Sequence, residues 1–343
     1  MEIIKPKSLK KGDTIGVFTP SSPSYIHNEE MFLNAKKSME ALGFNVKFGD
    51  LTERRTSQGY RSAGPKARAR EFMELIEDDG VHALMSTIGG MNSNSMIPYL
   101  DFELIRKKRK IVCGYSDVTS LHMSILSYSG LKTFYGAAFM PTFGEYPNGA
   151  LDSLESFLKA ATNTSSNERQ IFPFKKWSNH FREWSNGDWK NLDRKWNENL
   201  GWKVLNEGQA DGEFLLTNLN TLTSACGTPY FPNIEGKILL LEEMAAPYSR
   251  LERNLTQMKL CGVFDQIKGL IFGKPELENN EGAPFNIEDL LIEIVGKRDY
   301  PIITEFDCSH TVPLHTIGQL CPISVEAKKD YEVKFLIKDS FVD

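Results

Sequence analysis

Through the first half of the chain, short apolar runs alternate with stretches in which apolar residues recur at helical spacing. Residues 14–19 (TIGVFT) predict a buried strand, ended by the turn-forming Pro20, Ser21, Ser22 and Pro23. Phe32, Ala35, Met39 and Leu42 share one helical face, and Gly43 stands where a helix C-cap glycine belongs. Residues 44–48 alternate as a strand should, and residues 67–76 form a second helix with Phe72, Leu75 and Ile76 inward. Residues 82–88 and 111–113 predict two more strands. Strands alternating with helices imply a parallel sheet covered on both faces, a Rossmann-like α/β domain with ligands expected at the carboxyl ends of its strands.

From about residue 160 to 208 this pattern fails. All five tryptophans (Trp177, Trp184, Trp189, Trp196 and Trp202) lie there, among Asn, Asp, Glu and Lys. A polar, aromatic-rich segment makes a poor core; it fits a lid or recognition loop, and equally a connector whose tryptophans pack onto its own domain. Beyond residue 208 short strands dominate, including residues 236–241 and 267–272, with a helix over 251–260 marked by Leu251, Leu255 and Met258. The expected organisation is an N-terminal Rossmann-like domain (1–160), a Trp-rich connector (161–208) and a smaller, β-rich α/β domain (209–343).

A hydrophobic fraction of 41% and a charged fraction of 25% over 343 residues fit an ordinary globular protein of two domains. A net charge of -5 argues against a nucleic-acid polymer or a membrane surface as the main partner. The five scattered cysteines, with no C-x-x-C pair, favour a reducing compartment. The opening residues carry no signal-peptide pattern, and no apolar run is long enough to span a bilayer. The expectation is a cytoplasmic protein.

Ser116 follows a buried strand and Gly114, and precedes a helix marked by Val118, Leu121, Ile125 and Leu126. A serine on such a strand–turn–helix is the arrangement of a nucleophile elbow, with helix N–H groups available to a developing oxyanion. GYSDV lacks the second glycine of G-x-S-x-G, and the position also suits an ordinary N-cap serine. Gly89-Gly90 ends a neighbouring strand, where it fits an oxyanion loop, a phosphate turn of non-standard spacing or a plain turn. A serine nucleophile needs a base and a group to orient it. Of the six histidines (His27, His82, His122, His180, His310 and His315), His310 sits in a polar turn after the apolar residues 301–303, where a strand end would present it. His82 and His122 read as structural. Cys308 next to His310 lacks the further ligands a metal site needs. Glu242 and Glu243 end the most hydrophobic strand of the second half, placing either of them to hold an imidazole, or both on a solvated edge.

In order along the chain, residues 12–17, Gly89-Gly90, Gly-Tyr-Ser-Asp at 114–117, Gly227-Thr228-Pro229, the strand ending at Glu242 and His310-Thr311-Val312-Pro313 resemble the LD-carboxypeptidase and MccF-like serine peptidases over essentially the whole length. The resemblance implies a Ser116–Glu242–His310 triad, with Glu243 as the alternative acid, and an oxyanion hole from backbone N–H groups near Gly90 and Asp117. It implies no metal or cofactor, and a homodimer. It offers two substrate classes: an amide between an aminoacyl or peptidyl group and a nucleotide-like group, or the terminal D-alanine of a murein tetrapeptide. Residues 88–94 (IGGMNSN) are more similar to the MccF-like branch. On that reading Trp184 stacks on a base and Asn220 binds substrate. The chain departs from the family pattern at Ser309, at residues 316–318 and around Ala245-Ala246, where a substrate-binding lysine is missing and Arg250 is the nearest replacement. A non-catalytic nucleotide- or peptide-binding protein using the same cleft is the third reading.

Overall fold

The structure is a computed structural model that describes residues 1–23, 25, 28–145, 151–329 and 332–343. Strands β1 (Thr14–Phe18), β2 (Asn45–Phe48), β3 (Ala83–Ser86), β4 (Ile111–Gly114) and β5 (Phe134–Tyr135) form a parallel sheet in the order β5-β4-β3-β1-β2. Helices Glu29–Ala41 and Pro65–Glu77 match the predicted ones. Asn28 starts the first of them by accepting the Met31 N–H at 3.1 Å, and Gly43 beyond its end takes a φ of +92°. Both faces of β3 and β4 are buried, which is why they read as continuous apolar runs rather than alternating ones.

The connector supplies β6 (Arg169–Ile171), the small hairpin β7 (Lys176–Trp177) and β8 (Asn197–Glu198), and β9 (Lys203–Asn206). The rest of the chain adds β10 (Gly208–Asn218), β11 (Ile238–Glu242), β12 (Gly269–Gly273), β13 (Ile302–Phe306), β14 (Ile317–Gly318), β15 (Cys321–Ala327) and β16 (Lys334–Ile337). Among the described residues, eight of these strands form one mixed sheet in the order β6-β16-β15-β10-β11-β12-β13-β9. The connector therefore contributes both edge strands of this sheet. The four central strands, β10 to β13, are parallel, so their carboxyl ends emerge together. β14 leaves the second half and pairs antiparallel with β5 of the first sheet. One apolar core runs through both halves, joining Ile15, Phe32 and Phe139 to Phe214, Phe306 and Phe335.

Candidate active site

Ser116 sits where β4 gives way to a 3-10 turn (Ser116–Val118) and then to the helix Thr119–Ser129. Its φ is +62°, a left-handed conformation that costs a non-glycine residue about 1–3 kcal/mol and is kept where the surroundings demand it. The turn of residues 89–92 comes within contact distance. A Cβ on Gly89 would lie 3.1 Å from Ser116 Cβ and 3.2 Å from its Oγ, and one on Gly90 would lie 2.2 Å from Ser21 Oγ, at a φ of +148°. At Gly90 only a glycine allows this approach, and at Gly89 a side chain would be crowded.

Buried groups fix the same turn. Ser21 Oγ accepts the N–H groups of Met91 (3.0 Å) and Asn92 (3.1 Å), and one Asp117 carboxylate oxygen accepts those of Asn92 and Ser93, each at 2.9 Å. Arg68, 1% exposed, donates to Asn92 Oδ1 at 2.6 Å, to Ser95 Oγ at 2.8 Å and to the Pro20 carbonyl. The Asp117 side chain is thus occupied with the loop, while its backbone N–H lies 3.3 Å from where a Gly89 Cβ would be.

Glu242 ends β11, a strand buried along its whole length, and is itself fully buried. Such a carboxylate needs donors, and it has three: His310 Nδ1 at 2.6 Å from Oε2, Tyr135 Oη at 2.6 Å and Asn218 Nδ2 at 3.1 Å, both from Oε1. Glu243 points elsewhere, accepting the N–H groups of Asn220 and Met244 at 3.1 Å each, with Arg250 3.8 Å away. Of the pair, it is Glu242 that contacts His310. Burial pulls the His310 pKa down, but Glu242, backed by Glu276 and Glu243, outweighs it and leaves the imidazole above its ordinary value.

Ser116, His310, Gly89, Gly90 and Trp184 line one cavity of about 520 Å³. Trp184 is held in its wall: its Nε1–H donates to Glu145 at 3.2 Å, and its carbonyl accepts from the Asn28 side chain. Glu145, buried, also pairs with Arg182 and Arg194. The other tryptophans divide. Trp189 and Trp202 are buried, Trp202 donating to Asp307 at 2.9 Å, while Trp196 is exposed.

Asn220 is not brought to the cavity wall. It lies one residue into the helix Leu219–Ser224, with its Oδ1 3.3 Å from Asn254 Nδ2. Asn218, two positions earlier at the end of β10, is the asparagine that meets the site. Arg250 lies against Glu243 and the Met244 carbonyl rather than in the cavity. His122 is buried with Nε2 3.0 Å from the Gly114 carbonyl, and burial pushes its pKa down to about 4, so it stays neutral beneath the elbow. His82 is half exposed and accepts the Thr14 N–H. No group of three or more metal-ligating side chains occurs among the described residues. Sequence reading missed Tyr135, Asn218, Arg68, Glu145 and Glu276; the last has a buried carboxylate oxygen at the cavity without a partner. Only Asn218 left a trace in the sequence, as one of two asparagines in the same short segment.

The N-terminal domain model of the LD-carboxypeptidases matches residues 15–136, and the C-terminal domain model matches residues 211–324. The chain belongs to the LD-carboxypeptidase family. It is 35% identical to the microcin C7 self-immunity protein MccF of Escherichia coli, over 95% of this chain and 93% of that protein. It is 31% identical to a Bacillus subtilis protein described as a probable murein peptide carboxypeptidase, over 90% of this chain and 87% of that one. Among solved structures, a tryptophan-to-phenylalanine mutant of MccF in complex with adenosine monophosphate superposes with a TM-score of 0.93 at 33% identity, covering 99% of this chain and 100% of that one. MccF in complex with glutamyl sulfamoyl guanosine gives 0.92 at 33% identity, covering 99% of each chain. This peptidase family thus carries the α/β architecture expected from the sequence, with a parallel first sheet and a β-rich second one. No helix among the described residues is long and apolar enough to cross a membrane.

Proposed function

We propose that this LD-carboxypeptidase family member is a serine amidase of the MccF type, hydrolysing the amide between an aminoacyl or peptidyl group and a nucleotide-like group. The observation that carries the reading is the convergence of Ser116, His310 and Trp184 on one cavity, with Glu242 behind the histidine. His310 Nε2 takes the proton of Ser116 Oγ as that oxygen attacks the amide carbonyl carbon. The carbonyl oxygen takes on negative charge opposite the N–H groups of Gly90 and Asp117. His310 passes its proton to the departing nitrogen, the C–N bond breaks, and an acyl-serine remains. Water, deprotonated by His310, then releases the acid and restores Ser116. Glu242 keeps Nδ1 protonated and Nε2 facing the serine. Trp184 offers an indole face to a base, in keeping with the nucleotide ligands of the MccF structures.

Paired hydrolysis assays test this reading. Wild type and Ser116→Ala would each receive glutamyl sulfamoyl adenosine and an L,D-tetrapeptide, with products identified by mass spectrometry. Cleavage of the adenosine conjugate by wild type, reduced on the order of 10⁴-fold or more in Ser116→Ala, is the expected result. Release of D-alanine from the tetrapeptide instead would move the enzyme to the murein branch, which the Bacillus subtilis relative favours.

A further inference from the structure

Tyr135 sits at the end of β5, fully buried, between the nucleophile's turn and the acid behind the base. Its hydroxyl oxygen accepts the Ser116 N–H at 3.2 Å, and its O–H donates to Glu242 Oε1 at 2.6 Å. Burial first, and then the neighbouring Glu242, hold the phenol well above its ordinary pKa, so it keeps its proton. The direction of both bonds is therefore fixed, because one O–H can serve only one acceptor. The first bond joins the ends of β4 and β5 within the first sheet and the second crosses to β11 of the second sheet, so together they link a serine held at an unfavourable φ to a carboxylate with no solvent access.

We propose that the Tyr135 hydroxyl is a positioning group for the hydrolysis, holding the Ser116 turn and Glu242 in one hydrogen-bonded line so that the serine oxygen and His310 meet in register. It also engages the serine's own N–H, leaving the Gly90 and Asp117 amides to face the oxyanion. The inference rests on the serine-amidase reading above.

Tyr135 faces Glu242, Cys308, Ser116 and the His122 ring, whose centroid is 5.8 Å away. His310 faces Glu242, Glu243, Glu276 and the edge-on ring of Tyr115 at 4.9 Å. Burial keeps Cys308 and Tyr115 protonated and His122 neutral around neutral pH. With the Tyr135 donor gone, Glu242 would hold the imidazolium of His310 more strongly. His310 must be neutral to act as base, so the acid limb of reactivity would move to higher pH.

The test needs no knowledge of the substrate. A fluorophosphonate would inactivate wild type, Tyr135→Phe, Glu242→Gln and the double variant across the pH range, with thermal unfolding as a folding check. We expect Tyr135→Phe to react roughly 10- to 100-fold more slowly than wild type, with its acid limb moved upward. In the Glu242→Gln background the added loss should be small. A folded Tyr135→Phe with wild-type rate and limb would overturn the inference, as would an equal loss in both backgrounds. If the Phe variant does not fold, 3-fluorotyrosine at position 135 keeps the ring and donates more strongly. The limb should then move downward, and an unmoved limb would also overturn the inference. A wild type that the probe does not label would sink the amidase reading and this inference with it, whereas a labelled wild type beside an indifferent Tyr135→Phe sinks the inference alone.

Discussion

Two buried carboxylates organise the cavity, and they are wired differently. Glu242 is matched to His310, an imidazole that can gain and lose a proton, and to two neutral donors, Tyr135 and Asn218. Glu145 is matched to two arginines and the indole N–H of Trp184. Acid–base work needs a partner that can gain and lose a proton while staying in place. A recognition wall needs the opposite, a fixed set of bonds that holds an aromatic face still. On the proposed reading the first carboxylate serves the reaction, and the second the shape of the site.

Substitutions can separate the two. Glu242→Gln keeps the side-chain volume but can hold the wrong imidazole tautomer, and should lower kcat by about 10⁴-fold in steady-state assays while Tm changes far less. Glu145→Gln leaves Arg182 and Arg194 buried beside a neutral acceptor. It should cost about 3–5 kcal/mol of stability, read as a lower denaturation midpoint, with activity falling only as the fold loosens. If both variants lost activity without losing stability, the contrast between the walls would be wrong. Trp184→Ala should weaken binding of adenosine monophosphate by about 1–3 kcal/mol, measured by calorimetry, with the rate of fluorophosphonate labelling unchanged. The smallest effect belongs to pH. Because His310 lies above its ordinary pKa and must be deprotonated to act, kcat/KM should fall as pH drops through that raised value. Glu243 contributes to the raising, so Glu243→Gln should move this limb slightly toward lower pH.

Much of this site could be read from residue order because its parts stand at strand ends. Ser116 follows β4 of the first sheet, while Glu242 ends β11 and His310 follows β13 of the second, and parallel strands bring their carboxyl ends to one side of each sheet. Spacing alone leaves Glu242 and Glu243 equivalent, and the resemblance favours Glu242; the difference between them lies in which residue ends the strand's register, where Asn218 pairs with Glu242. The same register explains the two asparagines. Asn218 closes β10 and faces the carboxylate, whereas Asn220 has entered a helix and turned away. Tyr135 ends a strand of only two residues and offers no periodic signal. Glu145 meets partners 37 and 49 positions away through irregular backbone, where side-chain direction follows no simple period. The tryptophans split for a related reason: the connector that carries them is partly edge strand and partly cavity wall, so equal composition meets unequal surroundings.

The pairing of residues 6–8 with Asp343 bears on handling the protein in the laboratory. Asp343 donates its N–H to the Pro6 carbonyl and accepts the Ser8 N–H, each at 3.0 Å. Lys7, Ser8, Lys10 and Asp343 lie beside Asp13, Val81 and Lys110, at the amino ends of β1, β3 and β4, whereas the cavity opens at the carboxyl ends of those strands. A surface tether through Lys7 or Lys10 would thus leave the cavity mouth clear.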